Sequence, residues 1–518
     1  MMSQAEHHYN ETKRGAKKLN KDVIAKWLLQ FGYYPEQNVL PPQFKVKEFK
    51  VKNPYYTKGM LKNSNNLSNH INLSYPKTQF NDRLFSLQDP KYYHDIVHII
   101  SNNWNKITKL LFPNGQKIFS YSFPIPLYHT TNLRSGRMIY ERIQMAEGDL
   151  VVDSHRYKYI VKADVTNFYH SIYTHTISWA ITDRIIAYIK KNDYDDNIFG
   201  IGNKLDRLFQ KSNDLRTVGI PIGSAVSDLI AEIILSRIDQ KVSRYLKINK
   251  IDFIGTRFKD DYRFLCNSKE DATIIIKGLS KELSKFNLIL NDKKTEILTS
   301  PTGLYRLHTK EYEPLSLKNE TTISFKKFEL VLLKTIEIHE KYPGTSLIEK
   351  FLSELYNKEY KIKIDYNSFS THKQHTKIYK SISLIFSLYN YSKKSLGSCI
   401  GLILLIYDQY KIICPDLRFF IESIIKNGLI ISVKQKLVFD SSWFIFTYNR
   451  LGITIPYDIK KEILTNNYLD SSLIESLIKN KQLFFENSGL KGFIKKKDIK
   501  DMNLAKELNI FDKNEDIL

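Results

Sequence analysis

The sequence predicts an α+β domain followed by an all-helical region, and three observations carry this prediction. A β-branched run over Tyr159–Val165 is typical of a strand. Two further short strands, Phe253–Phe258 and Tyr262–Cys266, flank a turn at Lys259-Asp260-Asp261. From about Ser324 onward strand signals become rare and apolar residues recur at helical spacing.

The segments between these strands complete the α+β domain. Apolar spacing predicts one helix over Thr176–Ile189, a second over Ser224–Leu246 and a third over Asp271–Phe286. Gly219–Gly223 predicts a turn before the second helix, and Leu288–Leu290 predicts a last strand. The order strand, helix, helix, hairpin, helix, strand indicates a small antiparallel sheet backed by helices.

The rest of the chain is divided into predicted domains by its composition. Residues 1–75 are polar, basic and interrupted by prolines, which predicts one helix at Asp22–Phe31 and otherwise irregular structure. We therefore expect an N-terminal basic extension over 1–75, the α+β domain over 76–310 and a helical domain over 311–518. Between Pro76 and Thr108, helical spacing returns at Phe80, Leu84, Leu87, Ile96, Ile99 and Ile100.

The C-terminal region contains a series of predicted helices with short connectors. Their lengths suit stacked helix pairs in a solenoid-like array, but no fixed-period repeat is evident, and a plain helical domain is the alternative. The predicted helices are Phe325–Glu340, Ser346–Asn357, His375–Tyr389, Leu396–Tyr410, Leu417–Lys426, Ser442–Leu451, Tyr457–Asn466 and Ser471–Lys479.

Charge and cysteine content restrict the class of protein. Lys+Arg 78 against Asp+Glu 55 gives a net charge of +23, which favours a nucleic-acid partner, with a solubilising lysine-rich surface as the alternative. Three scattered cysteines exclude a disulfide framework or a cysteine-rich zinc site and fit a reducing compartment. The longest apolar run, Leu396–Tyr407, is shorter than the ~20 residues of a membrane span, and no apolar targeting segment is evident near Met1. We expect no membrane partner and a cytoplasmic location.

Three acidic residues stand where carboxylates can hold cations. Asp164 ends a hydrophobic strand, and Asp260 and Asp261 lie at the tip of the predicted hairpin. Nucleotidyl transfer uses two Mg²⁺ ions held between carboxylates, one activating the attacking oxygen and one stabilising the leaving group. Mg²⁺ takes few protein carboxylates and completes its shell with water and phosphates. These aspartates on adjacent strands could supply such a site, although each one alone is more typical of an ordinary turn.

Four segments, in this order, resemble the palm of reverse transcriptases. They are Asp164-Val-Thr-Asn-Phe168-Tyr169, Gly219-Ile-Pro221-Ile222-Gly223, Phe258-Lys259-Asp260-Asp261 and Leu290-Asn-Asp-Lys-Lys294-Thr295. The first continues as His-Ser-Ile-Tyr-Thr-His175, and in this form it resembles the bacterial abortive-infection, defence-associated (AbiK-like) reverse transcriptases. The motif resemblance covers roughly residues 134–295, and the helical C-terminal region adds a similarity of architecture.

This resemblance implies a right-hand polymerase with fingers and palm, in which a HEAT-like helical-repeat domain stands in for the thumb. It implies an RNA-directed DNA polymerase that uses dNTPs and two Mg²⁺ ions, with Mn²⁺ able to substitute, and that binds RNA and its DNA product. Members of this family act against phage in the bacterial cytoplasm, several make DNA without a conventional template or primer, and characterised members form homo-oligomers. An RNA polymerase or terminal transferase on the same palm, and a non-catalytic RNA-binding scaffold, are the alternatives.

The resemblance also implies roles for individual residues. Asp164, Asp260 and Asp261 become the metal-site carboxylates, with Asp261 in a supporting position. Lys294 becomes a lysine that protonates or neutralises the leaving pyrophosphate, or else a solvated loop lysine. Tyr169 falls on the sugar gate that excludes a 2′-hydroxyl, or else is a packed core tyrosine. The nucleotide site is further assigned to Phe168, Pro221, Gly223, Arg134, Arg137 and Arg142.

Two positions depart from the family pattern, and one residue is a candidate primer. Ile222 stands where many members carry Gln, so a polar contact near the incoming nucleotide is missing and templated fidelity is left open. Lys259 stands where small or apolar residues are usual, and it either meets a phosphate or points to solvent. A tyrosine hydroxyl on a flexible segment can replace a primer 3′-hydroxyl, and the polar N-terminal segment offers Tyr9, Tyr33, Tyr34, Tyr55 and Tyr56. Tyr9 lies nearest the chain end and is the candidate priming residue, with priming by a nucleic-acid 3′ end as the alternative.

Overall fold

The N-terminal segment begins with two helices that pack on the rest of the protein. The computed structural model describes residues 2–35, 38–57, 60–61, 66–78, 81–124, 146–195, 197–367, 370–465, 471–500, 502 and 504–507. Helix α1 (Gln4–Lys18) is capped by the Ser3 side chain and α2 (Lys21–Phe31) by that of Asn20. The expectation of irregular structure before residue 22 is wrong, because α1 has this cap and buries a narrow stripe of Ala5, Tyr9 and Ala16 on an otherwise polar helix.

Short strands follow, and a strand replaces the helix expected at Leu84 and Leu87, whereas Phe80 lies outside the described residues. The strands are β1 (Glu48–Phe49), β2 (Tyr56–Thr57), β3 (Met60–Leu61), β4 (Ile71–Pro76) and β5 (Asp82–Leu87), with β4 antiparallel to β5. A few apolar residues at helical spacing are too sparse to exclude a strand, and pairing with β4 decides the conformation. The expected helix is correct further on, where α3 (Pro90–Asn102) buries Ile96, Ile99 and Ile100 and α4 (Trp104–Leu111) follows.

A five-stranded sheet forms the expected palm. Its strands are β6 (Ile118–Ser120), β7 (Tyr159–Asp164), β8 (Phe253–Phe258), β9 (Asp261–Cys266) and β10 (Glu296–Thr299). They lie in the order β10-β7-β9-β8-β6, with β6 parallel to β8 and the other neighbours antiparallel. Strands β7, β8 and β9 match the sequence prediction. The predicted strand Leu288–Leu290 is reduced to one bridge from Leu290 to Val165, and β10 was missed because this edge strand is largely exposed and carries little apolar pattern.

The back of this sheet is covered by long helices. The helices of this part of the chain are α5 (residues 146–153), α6 (Phe168–Ser171), α7 (Thr176–Ile181), α8 (Arg184–Ile189), α9 (Ile198–Lys211), α10 (Ala225–Ile248) and α11 (Lys269–Ser284). Helix α11 packs on β7 and on α10, as expected for a sheet backed by helices. The helix predicted over Thr176–Ile189 is broken at Asp183, whose φ of 139° is not helical.

The C-terminal region is helical, and each of its predicted helices has a counterpart. The elements are α12 (Leu307–Tyr312), α13 (Phe325–Lys341), α14 (Leu347–Glu354), α15 (Thr371–Tyr391), α16 (Leu396–Tyr410), α17 (Leu417–Lys434), α18 (Val438–Leu451), α19 (Tyr457–Thr465), α20 (Ser471–Lys479), β11 (Leu490–Lys491), α21 (Lys496–Ile499) and α22 (Leu504–Glu507). Consecutive helices pack as neighbours in α15–α16 and α17–α18. Helix α16, which contains the longest apolar run, lies buried among them, and no helix in the described ranges is long and apolar enough to cross a membrane.

Residues near the start of the chain also hold the C-terminal region. Strand β1 pairs antiparallel with β11. The Trp443 indole donates to the carbonyl of Asn38 at 3.0 Å, and the Tyr34 hydroxyl donates to the carbonyl of Gly492 at 2.5 Å. Tyr34, Asn38 and strand β1 of the predicted N-terminal extension are therefore a built part of the fold.

Candidate active site

Three aspartates meet at the end of the β7–β9 strand pair. Asp164 is the last residue of β7 and is the direct register partner of Asp261, the first residue of β9. Asp260 precedes Asp261 in the tight turn from β8, where Lys259 adopts a left-handed φ of 53°. The turn and the register thus bring Asp164, Asp260 and Asp261 together from segments almost a hundred positions apart, as the motif order predicts.

The three carboxylates repel one another. Burial, followed by the charge of Asp164, raises the pKa of the Asp260 carboxyl above its ordinary value. Burial and the charges of Asp260 and Asp164 raise the pKa of Asp261 to about 7. Asp261 is an exposed residue, so the charges of the neighbouring carboxylates oppose its ionisation more than burial does. The arrangement concentrates negative charge that a bound cation would neutralise.

The chemistry of these side chains fits divalent cations. Carboxylate oxygens are the ligands that Mg²⁺ and Mn²⁺ accept, and Mg²⁺ keeps places for water and substrate phosphates. Among the described residues, no group of three or more His, Cys, Asp or Glu side chains is arranged so that it could hold a metal ion by itself. Asp164, Asp260 and Asp261 are the residues whose chemistry fits such ions, and the substrate would have to supply further ligands.

Lys294 lies against this cluster. Its ammonium is 2.9 Å from Oδ2 of Asp164, and the charge of Asp164 helps to keep the pKa of Lys294 above its ordinary value in spite of partial burial. The backbone N–H of Asn291 donates to the carbonyl of Asp164 at 2.8 Å, which fixes this loop beside the end of β7. A cation is thereby positioned next to the carboxylates but keeps more than half of its side chain exposed, at 56%.

Tyr169 belongs to a polar group that the sequence did not reveal. Its hydroxyl donates a hydrogen bond to Oδ1 of Asp228, in the first turn of α10. The Lys259 ammonium is 3.3 Å from Oδ2 of the same carboxylate and lies above the Tyr169 ring. Lys259 is therefore paired with Asp228. The sequence had suggested that it either meets a phosphate or points to solvent, and neither expectation included this ion pair. The one sequence signal was an acidic residue near a helix N-terminus, which is also common as a purely structural feature.

The glycine turn closes the site beside Tyr169. Gly223 has a φ of 114°, and a Cβ there would lie 2.9 Å from Cδ1 of Phe85 on β5, so this position requires glycine. The carbonyl of Ile222 accepts a hydrogen bond from the N–H of Ser86 at 3.0 Å, which attaches the turn to the β4–β5 hairpin. Pro221 is buried within this turn.

Some residues assigned to the nucleotide site lie elsewhere. Phe168 is 3% exposed and packs in the core, so it supports Tyr169 and is not placed to contact a nucleotide, contrary to the sequence assignment. Arg134, Arg137 and Arg142 lie outside the described residues. Arg83 of β5, which sequence reasoning missed, is a cation near enough for its charge to oppose the rise in the pKa of Asp260.

Tyr9 is not the mobile residue that was expected. It is 5% exposed, and its hydroxyl donates to the carbonyl of Leu111 at 3.4 Å and accepts a hydrogen bond from Gln116. Burial, the largest cause, raises the pKa of this phenol far above its ordinary value. The candidate role of Tyr9 as a primer is therefore withdrawn, because the hydroxyl is neither accessible nor easily ionised in this fold.

A buried ion network on the back of the sheet supports the catalytic turn. The Arg257 guanidinium donates to Glu232 and Asp239 of α10, both at 2.9 Å, and all three side chains are buried. It also donates to the carbonyl of Lys259 at 3.0 Å, while the N–H of Lys259 donates to Ser122 at 2.8 Å. Both backbone groups of Lys259 are thus held immediately before Asp260.

Comparison with known proteins agrees with this fold and site. The family model described as "Reverse transcriptase (RNA-dependent DNA polymerase)" matches residues 98–366, slightly more than half of the 518 residues. The match includes β7, the glycine turn, the β8–β9 hairpin and the Lys294 loop. The chain belongs to the reverse transcriptase family, and it is an enzyme of that class.

Solved structures with weak similarity are telomerases. Apo telomerase from Candida tropicalis is 13% identical, with 76% of this chain and 70% of that chain covered and a TM-score of 0.35. Telomerase from Candida albicans in complex with a TWJ fragment of telomeric RNA is 12% identical, with 68% and 66% covered and a TM-score of 0.31. None of the curated proteins matches the sequence significantly. The assignment to the family therefore rests on the sequence match.

Proposed function

We propose that this reverse transcriptase is a Mg²⁺-dependent DNA polymerase that joins dNTPs at the end of the β7–β9 pair. The observation that carries the proposal is the convergence of Asp164, Asp260 and Asp261, in which burial and mutual repulsion raise the pKa values of the last two. Three carboxylates kept close together at an accessible strand end, with the Lys294 ammonium 2.9 Å from Asp164, are costly for the protein without bound cations. They are useful to a site that binds cations and phosphates.

The expected chemistry divides between the ions and the chain. Bound by these carboxylates, two Mg²⁺ ions, or Mn²⁺ in their place, would activate an attacking 3′-oxygen and stabilise charge on the leaving pyrophosphate. Lys294 stands 2.9 Å from Asp164 and can donate a proton or a hydrogen bond to the departing phosphate oxygen. The Asp228 hydrogen bond holds the Tyr169 ring in one orientation, as a gate against a ribose 2′-hydroxyl requires.

The primer that we propose is a nucleic-acid 3′-hydroxyl. Tyr9, the tyrosine assigned to this role, is buried, and its hydroxyl donates to the carbonyl of Leu111. The net charge of +23 supports an RNA template or RNA partner and a DNA product bound through their phosphates. Ile222 at the Gln position favours loose or unconventional templating.

The cellular role that we propose is defence against phage in bacteria, carried out by a homo-oligomer in the cytoplasm. Support for it comes from the extended Tyr-Thr-His175 portion of the first palm motif and from the long helical C-terminal region, features in which the sequence resembles the abortive-infection reverse transcriptases.

In the decisive experiment, the protein is purified together with its bound nucleic acid. Mg²⁺ and one labelled dNTP at a time are then added, and the products are analysed. We expect high-molecular-weight DNA from the wild type and none from Asp260→Asn. Incorporation of rNTPs in preference to dNTPs would indicate the RNA polymerase alternative. Nucleic-acid binding without incorporation of any nucleotide would indicate the scaffold. The same pair of proteins, expressed in bacteria challenged with phage, tests the defence role, and we expect protection from the wild type and none from Asp260→Asn. A wild type that gives no protection would contradict the defence role, and protection that survives Asp260→Asn would show that defence does not depend on DNA synthesis.

A further inference from the structure

A second pair of charged residues lies directly beside the aspartates on the same face of the sheet. Side chains alternate along a strand, so Lys162 shares the face of Asp164 on β7, and Arg263 shares the face of Asp261 on β9. Lys162 and Arg263 are register partners, as the two aspartates are. Two residues along a strand correspond to about 6.6 Å. The Lys162–Arg263 pair therefore lies about that far along the strands from the Asp164–Asp261 pair, on the same face of the sheet.

Arg306 completes this group, which we call the cation cluster: Lys162, Arg263 and Arg306. One carboxylate oxygen, Oε1 of Glu147 on α5, lies 2.9 Å from Nη2 of Arg263 and 2.5 Å from Nε of Arg306. Glu296 of β10 is the register partner of Lys162 and is exposed. Three positive side chains therefore share two negative ones, and a single oxygen serves both guanidinium groups.

The cluster retains hydrogen-bond donors for which the described residues offer no acceptor. Nη1 of Arg263 is buried and has no hydrogen-bond partner among the described residues. The Lys162 ammonium likewise makes no hydrogen bond or salt bridge in the part of the chain that the structure describes. Buried donors are normally satisfied, so unused donors on a cation indicate an acceptor that is supplied from outside.

The open face of the sheet ends at this cluster. At the next register step Ile160 and Leu298 are covered by the segment at Gly303, where a Cβ would lie 2.8 Å from Cβ of Leu298 and 3.3 Å from Cδ1 of Ile160. Leu304 beside it is fully buried. The cation cluster therefore lies between the catalytic carboxylates and the covered part of the sheet.

We propose that the cation cluster binds a phosphodiester group of the nucleic-acid strand whose 3′ end reaches the aspartates, and that Glu147 occupies this place when no phosphate is present. The proposal rests on the proposed polymerase function. Arginine presents paired donors that suit phosphate as well as carboxylate, so the two anions compete for Arg263 and Arg306. Lys162 contributes a further positive charge, on which the charges of Glu296 and Glu147 act without a direct salt bridge.

The competing explanation is a structural ion network that fastens α5 and Arg306 to the sheet. The two explanations predict opposite results for Glu147→Gln. A phosphate site loses its internal competitor and binds nucleic acid more tightly, whereas a structural network loses its central anion and binds no better. The two explanations also predict different results for Lys162→Met. Because Lys162 makes no hydrogen bond or salt bridge to a described residue, its replacement should lower nucleic-acid affinity without lowering the melting temperature.

The experiment uses a fluorescein-labelled DNA primer annealed to a longer RNA template, with anisotropy measured over a series of KCl concentrations. We expect Lys162→Met and Arg263→Met to weaken binding by about tenfold and to reduce the slope of log affinity against log salt by about 0.7 to 0.9. Glu147→Gln should tighten binding severalfold. Lys277→Met, which removes an equal charge from an exposed site on α11 behind the sheet, is the matched control and should leave affinity nearly unchanged.

A primer with one neutral methylphosphonate linkage locates the contact. Neutralising the linkages one at a time from the 3′ end should weaken wild-type binding at one position near that end, and there Lys162→Met should add no further loss. The proposal would be overturned if the losses of affinity from Lys162→Met and from the neutral linkage were additive at every linkage position. It would also be overturned if Lys162→Met and Arg263→Met bound the primer as tightly as Lys277→Met does while the wild type extends it. A wild type that neither binds nor extends the primer overturns the proposed function and this inference with it. If Glu147→Gln does not fold, Lys162→Met decides, and its melting temperature should equal that of the wild type.

Discussion

The guanidinium of Arg257 donates a hydrogen bond to the carbonyl of Lys259 at 3.0 Å, and so links the core behind the sheet to the turn that carries Asp260. Arg257 is fully buried and is neutralised by Glu232 and Asp239 of α10. Lys259 adopts a left-handed φ of 53°, a conformation that costs a non-glycine residue free energy unless its surroundings impose it. The buried ion network is what imposes it, and the position of Asp260 depends on residues that never contact substrate.

We expect Arg257→Met to lower the free energy of unfolding by about 3 to 5 kcal/mol, because it leaves Glu232 and Asp239 buried without a positive partner. Denaturant unfolding measures the loss. The triple change Arg257→Met, Glu232→Gln, Asp239→Asn should recover much of it, since no uncompensated charge remains. A single variant as stable as the wild type would show that the network does not support the hairpin.

Asp260→Asn should abolish DNA synthesis and leave the fold intact. The substitution keeps the size of the side chain but removes a negative charge from the proposed ion site, at a cost on the order of 10³-fold in rate. Single-nucleotide incorporation and the melting temperature are the two measurements. Asp252→Asn, at the opposite end of β8 from the turn, is the control and should retain activity. Incorporation at the wild-type rate by Asp260→Asn would refute the metal-site assignment.

Tyr169→Val should admit ribonucleotides, because removing the ring opens space for a 2′-hydroxyl, and we expect the preference for dNTPs to fall by about tenfold or more. Tyr169→Phe is the matched control, since it keeps the ring and loses the hydrogen bond to Asp228. The measurement is the ratio of kcat/KM for dNTP to that for rNTP. An unchanged ratio in an active Tyr169→Val enzyme would make Tyr169 a packing residue.

His175 should give the protein a pH-dependent contribution to stability. Its ring nitrogen lies 2.5 Å from Asp206, and this hydrogen bond raises the pKa of His175 above its ordinary value. A raised pKa in the folded state stabilises the protein fully below the unfolded pKa of ~6.5, and the contribution is lost as the pH rises through the folded value. The melting temperature of the wild type minus that of His175→Gln should therefore fall as the pH is raised from 6 upward.

The carboxylate partner provides the control for this pH dependence. The Asp206→Asn variant lacks the anion that accepts the His175 hydrogen bond. In that variant, the difference in melting temperature between proteins with His and with Gln at position 175 should vary much less with pH. Equal pH dependence in both backgrounds would show that the shift has another origin than the Asp206 contact.

The sequence was most informative where structure is governed by neighbours along the chain. Strands β7, β8 and β9 and the helices of the C-terminal region follow from local patterns of apolar and β-branched residues. The order of Asp164, the glycine turn, Asp260 and Lys294 was sufficient to indicate one site, and the strand register confirms that Asp164 and Asp261 face each other. The N-terminal helix α1 was missed because its buried stripe is only three residues in a polar helix.

Contacts between distant segments could not be obtained in this way. Glu147 and Arg306 are 159 positions apart, and Tyr169 and Asp228 are 59 apart, so no local pattern relates the partners in either pair. Tyr9 was expected to be mobile from the polarity of its surroundings, yet burial against Leu111 and Gln116 removes it from the reaction. Local propensity determines many of the elements, although β5 depends on its pairing with β4. Which charges become partners depends on packing, because the free energy of a buried ion is set by the atoms that surround it and not by its neighbours in the chain.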